Sequence, residues 1–130
     1  MRRRKKGKEH LSVGGKQWRT WQEYRKHFPL PNRSREEIIA ATANREPSRY
    51  FPGIDIEGLE MMAAREGVEV PSGSPTTLYK VYEHESEIGA SDGKVSRWVR
   101  VESSSGVVHG HPITSERYEG YLRSRENNVQ

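Results

Sequence analysis

An α+β domain is predicted for this chain, with N-terminal helices, a small antiparallel β-meander and a C-terminal helix. Three observations predict it. Ser34-Arg-Glu-Glu37 reads as a capping box, the serine taking the N–H of Glu37 and the glutamate reaching back to the cap nitrogen. From Thr77 the apolar spacing changes from three-and-four to two, the mark of strands. The chain has 130 residues and a hydrophobic fraction of 32%, with three Trp and six Tyr to anchor a thin core, which favours one domain.

The elements follow in order. Residues 1–15 read as a flexible basic arm. Residues 1–16 hold seven Lys and Arg against Glu9, a balance of +6 in a chain of net +4, so the remaining residues sum to −2. Such an arm suits non-specific phosphate binding or is a solvated leader. Gly14-Gly15 separates it from a single domain over 16–126, and residues 127–130 read as a disordered tail. Lys16 to Phe28 places Trp18, Trp21, Tyr24 or Arg25, and Phe28 three and four apart, which predicts a helix with an aromatic stripe, ended by Pro29 and Pro31. The stripe reads as core, with base stacking as the alternative.

The capping box opens a second helix with Ile38, Ile39 and Ala43 available to the core, and Asn44 to Pro52 reads as a loop. A third helix starts near Asp55 as cap, with Ile54 and Leu59 as staple and Ile56, Leu59, Met62 and Ala63 as buried stripe. Gly67 fits the position past its end. Gly58 inside it costs roughly 1 kcal/mol against Ala, which points to a close approach there.

Strands are predicted over 77–83, 94–102 and 107–111, with Val95, Val99 and Val101 on one side of the second. Glu85 to Gly93 reads as a long polar loop, Ser103 to Gly106 as a turn, and Pro112 as the end of the last strand. A closing helix over 115–125 is capped by Thr114, with Ile113 and Tyr118 at staple spacing.

Some classes are excluded. Without cysteine there is no disulfide scaffold, no thiolate metal site and no zinc-deaminase signature. No stretch has the apolar length of a transmembrane helix, and no apolar segment follows the basic start, so neither a membrane span nor a signal peptide is expected.

One constellation looks like chemistry. With a turn at 103–106, Glu102 pairs with Val107, Val101 with Val108, Arg100 with His109, Val99 with Gly110 and Trp98 with His111. Val99, Val101 and Val108 then share a core face, and Trp98, Arg100, Glu102, His109 and His111 share the other. Cleavage of RNA by its own 2′-hydroxyl needs a base, an acid and a cation for the phosphorane. A Glu or His, a second His and an Arg supply them with neither cofactor nor metal. Candidate catalytic residues are therefore His109, His111, Arg100 and Glu102. Candidate substrate contacts are Lys80, Arg97, Trp98, Thr114 and Ser115, with Arg117 secondary, and the start of the last helix suits an anion. Two other readings stay open. Cross-strand Arg, Glu and His pairs also decorate ordinary solvent faces. His109-Gly-His111 places two imidazoles about 6.5 Å apart on a strand, where Glu102 or His84 is a possible third metal ligand. A non-catalytic nucleic-acid-binding protein working through the arm, or an interaction protein of a phage or plasmid, is the competing class.

The phrases Tyr50-Phe-Pro-Gly-Ile-Asp-Ile-Glu-Gly-Leu-Glu60, Ile88-Gly-Ala-Ser91, Arg97-Trp-Val-Arg-Val-Glu102 and His109-Gly-His-Pro-Ile113 resemble C-terminal toxin domains of bacterial polymorphic toxins, of the contact-dependent inhibition and Rhs-type effector kind. The resemblance spans Tyr50 to Leu122, a little over half the chain. It implies a ribonuclease of the barnase/EndoU/colicin-like group, acting on tRNA or rRNA and blocked by an immunity protein. It also implies delivery into a target cell's cytoplasm by a larger secreted carrier.

Overall fold

The computed structural model describes residues 12–13, 16–18 and 26–128. Nine strands and three helices are formed by these residues, an α+β arrangement. In chain order they are β1 (Ser12–Val13), β2 (Lys16–Trp18), α1 (Arg35–Ala43), β3 (Arg49–Tyr50), α2 (Ile56–Glu66), β4 (Val68–Val70), β5 (Leu78–Glu83), β6 (Gly89–Ser91), β7 (Lys94–Ser96), β8 (Trp98–Ser104), β9 (Val107–Ile113) and α3 (Ser115–Asn128). None of the helices is long and apolar enough to cross a membrane.

The main sheet has the order β1-β2-β9-β8-β5-β4, and β3-β6-β7 form a second, smaller one. The run β4-β5-β8-β9 is the antiparallel meander expected from the period-two spacing. Its strands bury residues on both faces. On one side α2 packs through Leu59, Ala63 and Ala64 in a core with Val99, Val101, Val108 and Tyr50. On the other, α3 lays Tyr118, Tyr121 and Leu122 over Val70, Val81, Ile113 and Trp98. α1 packs on the small sheet through Ile38, against Phe51 and Ala90.

The caps form as read. Ser34 and Glu37 complete the capping box, with bonds of 3.1 and 2.8 Å. Asp55 accepts from Gly58 N at 3.1 Å. A Cβ at Gly58 would collide with that same carboxylate, which accounts for a glycine inside α2. Thr114 Oγ1 accepts from Arg117 N at 3.1 Å and opens α3.

Several expectations are corrected. Lys16–Trp18 is a strand, parallel to β9, and not the start of a helix; Trp21, Tyr24 and Arg25 lie outside the described residues. Ser12–Val13 pairs with β2, so the sheet reaches into the segment read as arm, and α3 runs to Asn128 into the segment read as tail. The supposed loops at 44–52 and 85–93 contain β3 and β6. The strand expected over 94–102 breaks at Arg97, where buried Ser96 turns the chain by donating to Ile113 O at 2.5 Å and accepting from Trp98 N at 3.0 Å. Val95 thereby leaves the line of Val99 and Val101 for the small sheet and is exposed. Buried positions on the helices shift by about one residue: Met61 in place of Met62, and Thr42 in place of Ala43.

β9 continues through Pro112 to Ile113. Proline is tolerated in a strand where no ladder partner needs its N–H, and among the described residues β2 pairs with β9 at Val107 and Val108. The β8–β9 turn is also tighter than expected. Ser105 and Gly106 have φ of 54° and 79°, the left-handed pair of a two-residue hairpin. The register is thereby two residues from the expected one, with Arg100 opposite His111 and Glu102 opposite His109. A slip of two preserves the faces.

Candidate functional site

β5, β8 and β9 form cross-sheet rows. Tyr79, Glu102 and His109 make one, Val81, Arg100 and His111 the next, and Glu83, Trp98 and Ile113 the third. All lie on the α3 side. Glu102 stands between Arg100 and His109, with Oε1 3.6 Å from Arg100 Nη2 and Oε2 3.9 Å from His109 Nε2. The side chains of Arg100, His109 and Glu102 are 10, 15 and 26% exposed, so the carboxylate is the open end of the cluster.

Arg100 is held from both sides. Its guanidinium lies 4.0 Å from the Tyr79 ring centroid, a cation–π contact. Nη1 donates to the Tyr121 hydroxyl at 3.4 Å, and Arg117 donates to the same oxygen at 2.9 Å. Arg100 Nε is buried without a hydrogen-bond partner among the described residues.

His111 stands apart from this group in character. Its ring stacks on His27 at 4.6 Å between centroids. His27 Nδ1 donates to Ser48 O at 2.6 Å, His111 Nδ1 donates to Pro112 O at 2.9 Å, and Ser48 Oγ lies 3.3 Å from both Nδ1 atoms. Burial drives both imidazoles toward the neutral form, His27 to about 4 and His111 to about 3, helped for His111 by the neighbouring His27 and Arg100 charges. A neutral, buried His111 is unsuited to donate a proton near pH 7. Of the candidate catalytic residues, His111 is the one stacked on a second imidazole.

The expected substrate contacts divide. Trp98 shares the face but packs on Tyr118, with centroids 6.1 Å apart. Thr114 is buried and occupied as the α3 cap. Ser115 bonds its neighbour Glu116 at 3.4 Å. Arg97 is exposed and paired with Glu83 at 2.7 Å. Lys80 is on the opposite face, paired across the sheet with Val101, and donates to Ala64 O at 2.9 Å at the C-terminal end of α2. His84 also belongs to the α2 side, lining a cleft of about 280 Å³ with Leu59 and Ile88, so it does not join His109 and His111 as a ligand. No group of three or more His, Asp or Glu among the described residues is arranged to hold a metal ion. A larger cleft of about 400 Å³ is walled by Trp18, Phe28 and Ile54, with no histidine in its lining. Arg100, Glu102 and His109 line neither of these two clefts.

Sequence reasoning missed His27, Ser48, Tyr79 and Tyr121. Tyr79 was readable in principle, since it alternates with Val81. His27 and Ser48 reach β9 only through tertiary folding, and no local pattern marks them. It also missed Glu60, buried at 2% exposure in α2, which accepts from Trp18 Nε1 at 2.8 Å and Tyr50 OH at 2.5 Å. There a signal existed: a carboxylate falls within the apolar three-and-four spacing of Ile56, Leu59 and Ala63.

Comparison with known protein families, with curated protein sequences and with solved structures finds no match for this chain.

Proposed function

We propose that this domain is a metal-independent endoribonuclease of the toxin type, cleaving cellular RNA by attack of a 2′-hydroxyl on the adjacent phosphate. The observation that carries the reading is the position of Glu102, registered opposite His109 on β9 with the Arg100 guanidinium against the same carboxylate. Glu102, the most exposed of the three, takes the 2′ proton. His109 in its protonated form gives a proton to the departing 5′ oxygen. Arg100, pre-oriented by Tyr79 and Tyr121, meets the charge that grows on the phosphorane, the electrostatic role in which pre-organisation counts most. His111 holds the strand and does not transfer protons. Arg117, beside the Tyr121 hydroxyl, offers an outer contact to an adjoining phosphate. The substrate is tRNA or rRNA, and an immunity protein covers this face in the producing cell.

The test is incubation of the purified chain with total bacterial RNA in EDTA, beside Glu102→Gln, His109→Ala and His111→Asn. Discrete cuts ending in 2′,3′-cyclic phosphate, lost in the first two variants and kept in part by the third, are expected. Absence of cleavage by the wild type overturns the reading in favour of a binding role for the basic arm.

A further inference from the structure

We propose that Glu60 is a positioning residue of this site, setting the backbone between His109 and His111 from the far side of the sheet through the amide of Gly110. The inference rests on the reading of Glu102 and His109 as the reacting pair. In a two-residue hairpin the pair flanking the turn exchanges both backbone hydrogen bonds, and hydrogen-bonded and open pairs alternate beyond it. Ser104 and Val107 flank this turn, so Glu102 and His109 form a bonded pair, whereas Val101 and Gly110 form an open one. The Gly110 N–H therefore faces away from β8. On that edge, among the described residues, β2 pairs with Val107 and Val108. The Glu60 carboxyl stands on that edge as an acceptor for the Gly110 amide.

That carboxyl is itself held. The Trp18 indole donates to one oxygen from β2 and the Tyr50 hydroxyl to the other from β3, at 2.8 and 2.5 Å. Glycine at 110 is required for the fit, since a Cβ would lie 2.5 Å from Arg100 O and 2.8 Å from Val101 Cγ1. The peptide between the two histidines is thus clamped between β8 and a carboxyl fixed by two further elements. A small shift of reacting groups is enough to slow a reaction severely.

The clamp is also titratable. Full burial raises Glu60 to about 7, against the lowering pull of Tyr50, Trp18 and the Gly110 amide. Among the described residues the groups facing it are those three, from β3, β2 and β9, and none of the three carries a charge near neutrality; on its own helix Glu57 is buried one turn earlier. Protonation adds a donor where three donors already converge, so the Gly110 bond weakens below neutral pH. The pH dependence of the site then contains a limb that belongs to neither histidine.

The Gly110 amide reports this directly in ¹H–¹⁵N spectra recorded against pH without RNA. A titration with midpoint about 7 in the wild type, absent in Glu60→Gln, is expected. A flat Gly110 amide in the wild type overturns the clamp. Should Glu60→Gln fail to fold, Tyr50→Phe removes one lowering bond and should move the midpoint upward; an unmoved midpoint overturns the assignment. For cleavage, Glu60→Gln should lose about tenfold in kcat at unchanged KM, together with the limb near 7. A wild-type rate and profile in that variant overturn the positioning role. A titrating Gly110 in a chain that cleaves no RNA would sustain the clamp and remove the ribonuclease reading instead.

Discussion

On the α3 side of β9, Glu102 meets Arg100 and His109 at 3.6 and 3.9 Å, and its side chain is about a quarter exposed. On the α2 side, a single carboxyl on Glu60 is sealed from water and accepts bonds of 2.5 and 2.8 Å. The first lies on the sheet itself and the second on the helix that covers its other face. The difference separates two uses of burial. A group that must meet a substrate keeps slack distances and a solvent edge, whereas a group that must hold backbone is satisfied completely, because an unsatisfied buried carboxyl is costly. His111 falls on the holding side of this division although it shares a face with Glu102.

Substitutions at the slack cluster test the division most strongly. Glu102→Gln or His109→Ala should cut RNA cleavage by roughly 10²–10⁴-fold, the usual size of a general acid–base contribution, and leave the urea midpoint close to that of the wild type. Equal activity would make the cluster surface decoration.

Next in size are the pH effects on stability, which have opposite signs on the two faces. His27 and His111 titrate below the ordinary histidine value, at about 4 and about 3. As pH falls below about 6.5 the unfolded chain takes their protons first. Their stability is therefore complete above about 6.5 and is lost as pH falls through 4 and 3, on the order of 3 kcal/mol for His27 and 5 kcal/mol for His111. Glu60 titrates above its ordinary value of 4.5, at about 7. Its contribution is complete below about 4.5 and is lost as pH rises through 7, about 3 kcal/mol. Urea unfolding between pH 3 and 8 should show His111→Asn weakening the acid limb and Glu60→Gln removing the fall toward neutrality. A Glu60→Gln curve parallel to the wild type would show that burial does not hold that proton.

Gly110→Ala strikes both faces through one backbone position. The collision with Arg100 O and Val101 should destabilise by about 2 kcal/mol in urea unfolding, as overpacking does. Smallest is Thr114→Ala, which removes the α3 cap and should lower stability by about 1 kcal/mol with cleavage chemistry intact. A large loss of activity there would return Thr114 to the substrate contacts.

The residues sharing the α3 face were legible because period two survives an error of two in register. The pairing itself was not legible, since Ser105 was not expected to adopt a positive φ. Lys80 was misassigned for a simple reason: a lone strand residue has no face until its partner strand is known, and β5 places it opposite Val101. His27 lies outside any pattern that relates it to His111.

By itself the sequence determined the α+β class, the helices capped by Ser34, Asp55 and Thr114, and the alternation that joins Arg100, Glu102, His109 and His111. These depend on hydrogen bonds and side-chain directions within a few residues of one another. Tertiary structure alone decided that Lys16–Trp18 extends the sheet, that Ser96 ends one strand to begin another, that His111 is neutral beneath His27, and that Glu60 stands behind Gly110. Those outcomes depend on burial and on contacts between distant segments. Desolvation and long-range packing have no local signature in the chain.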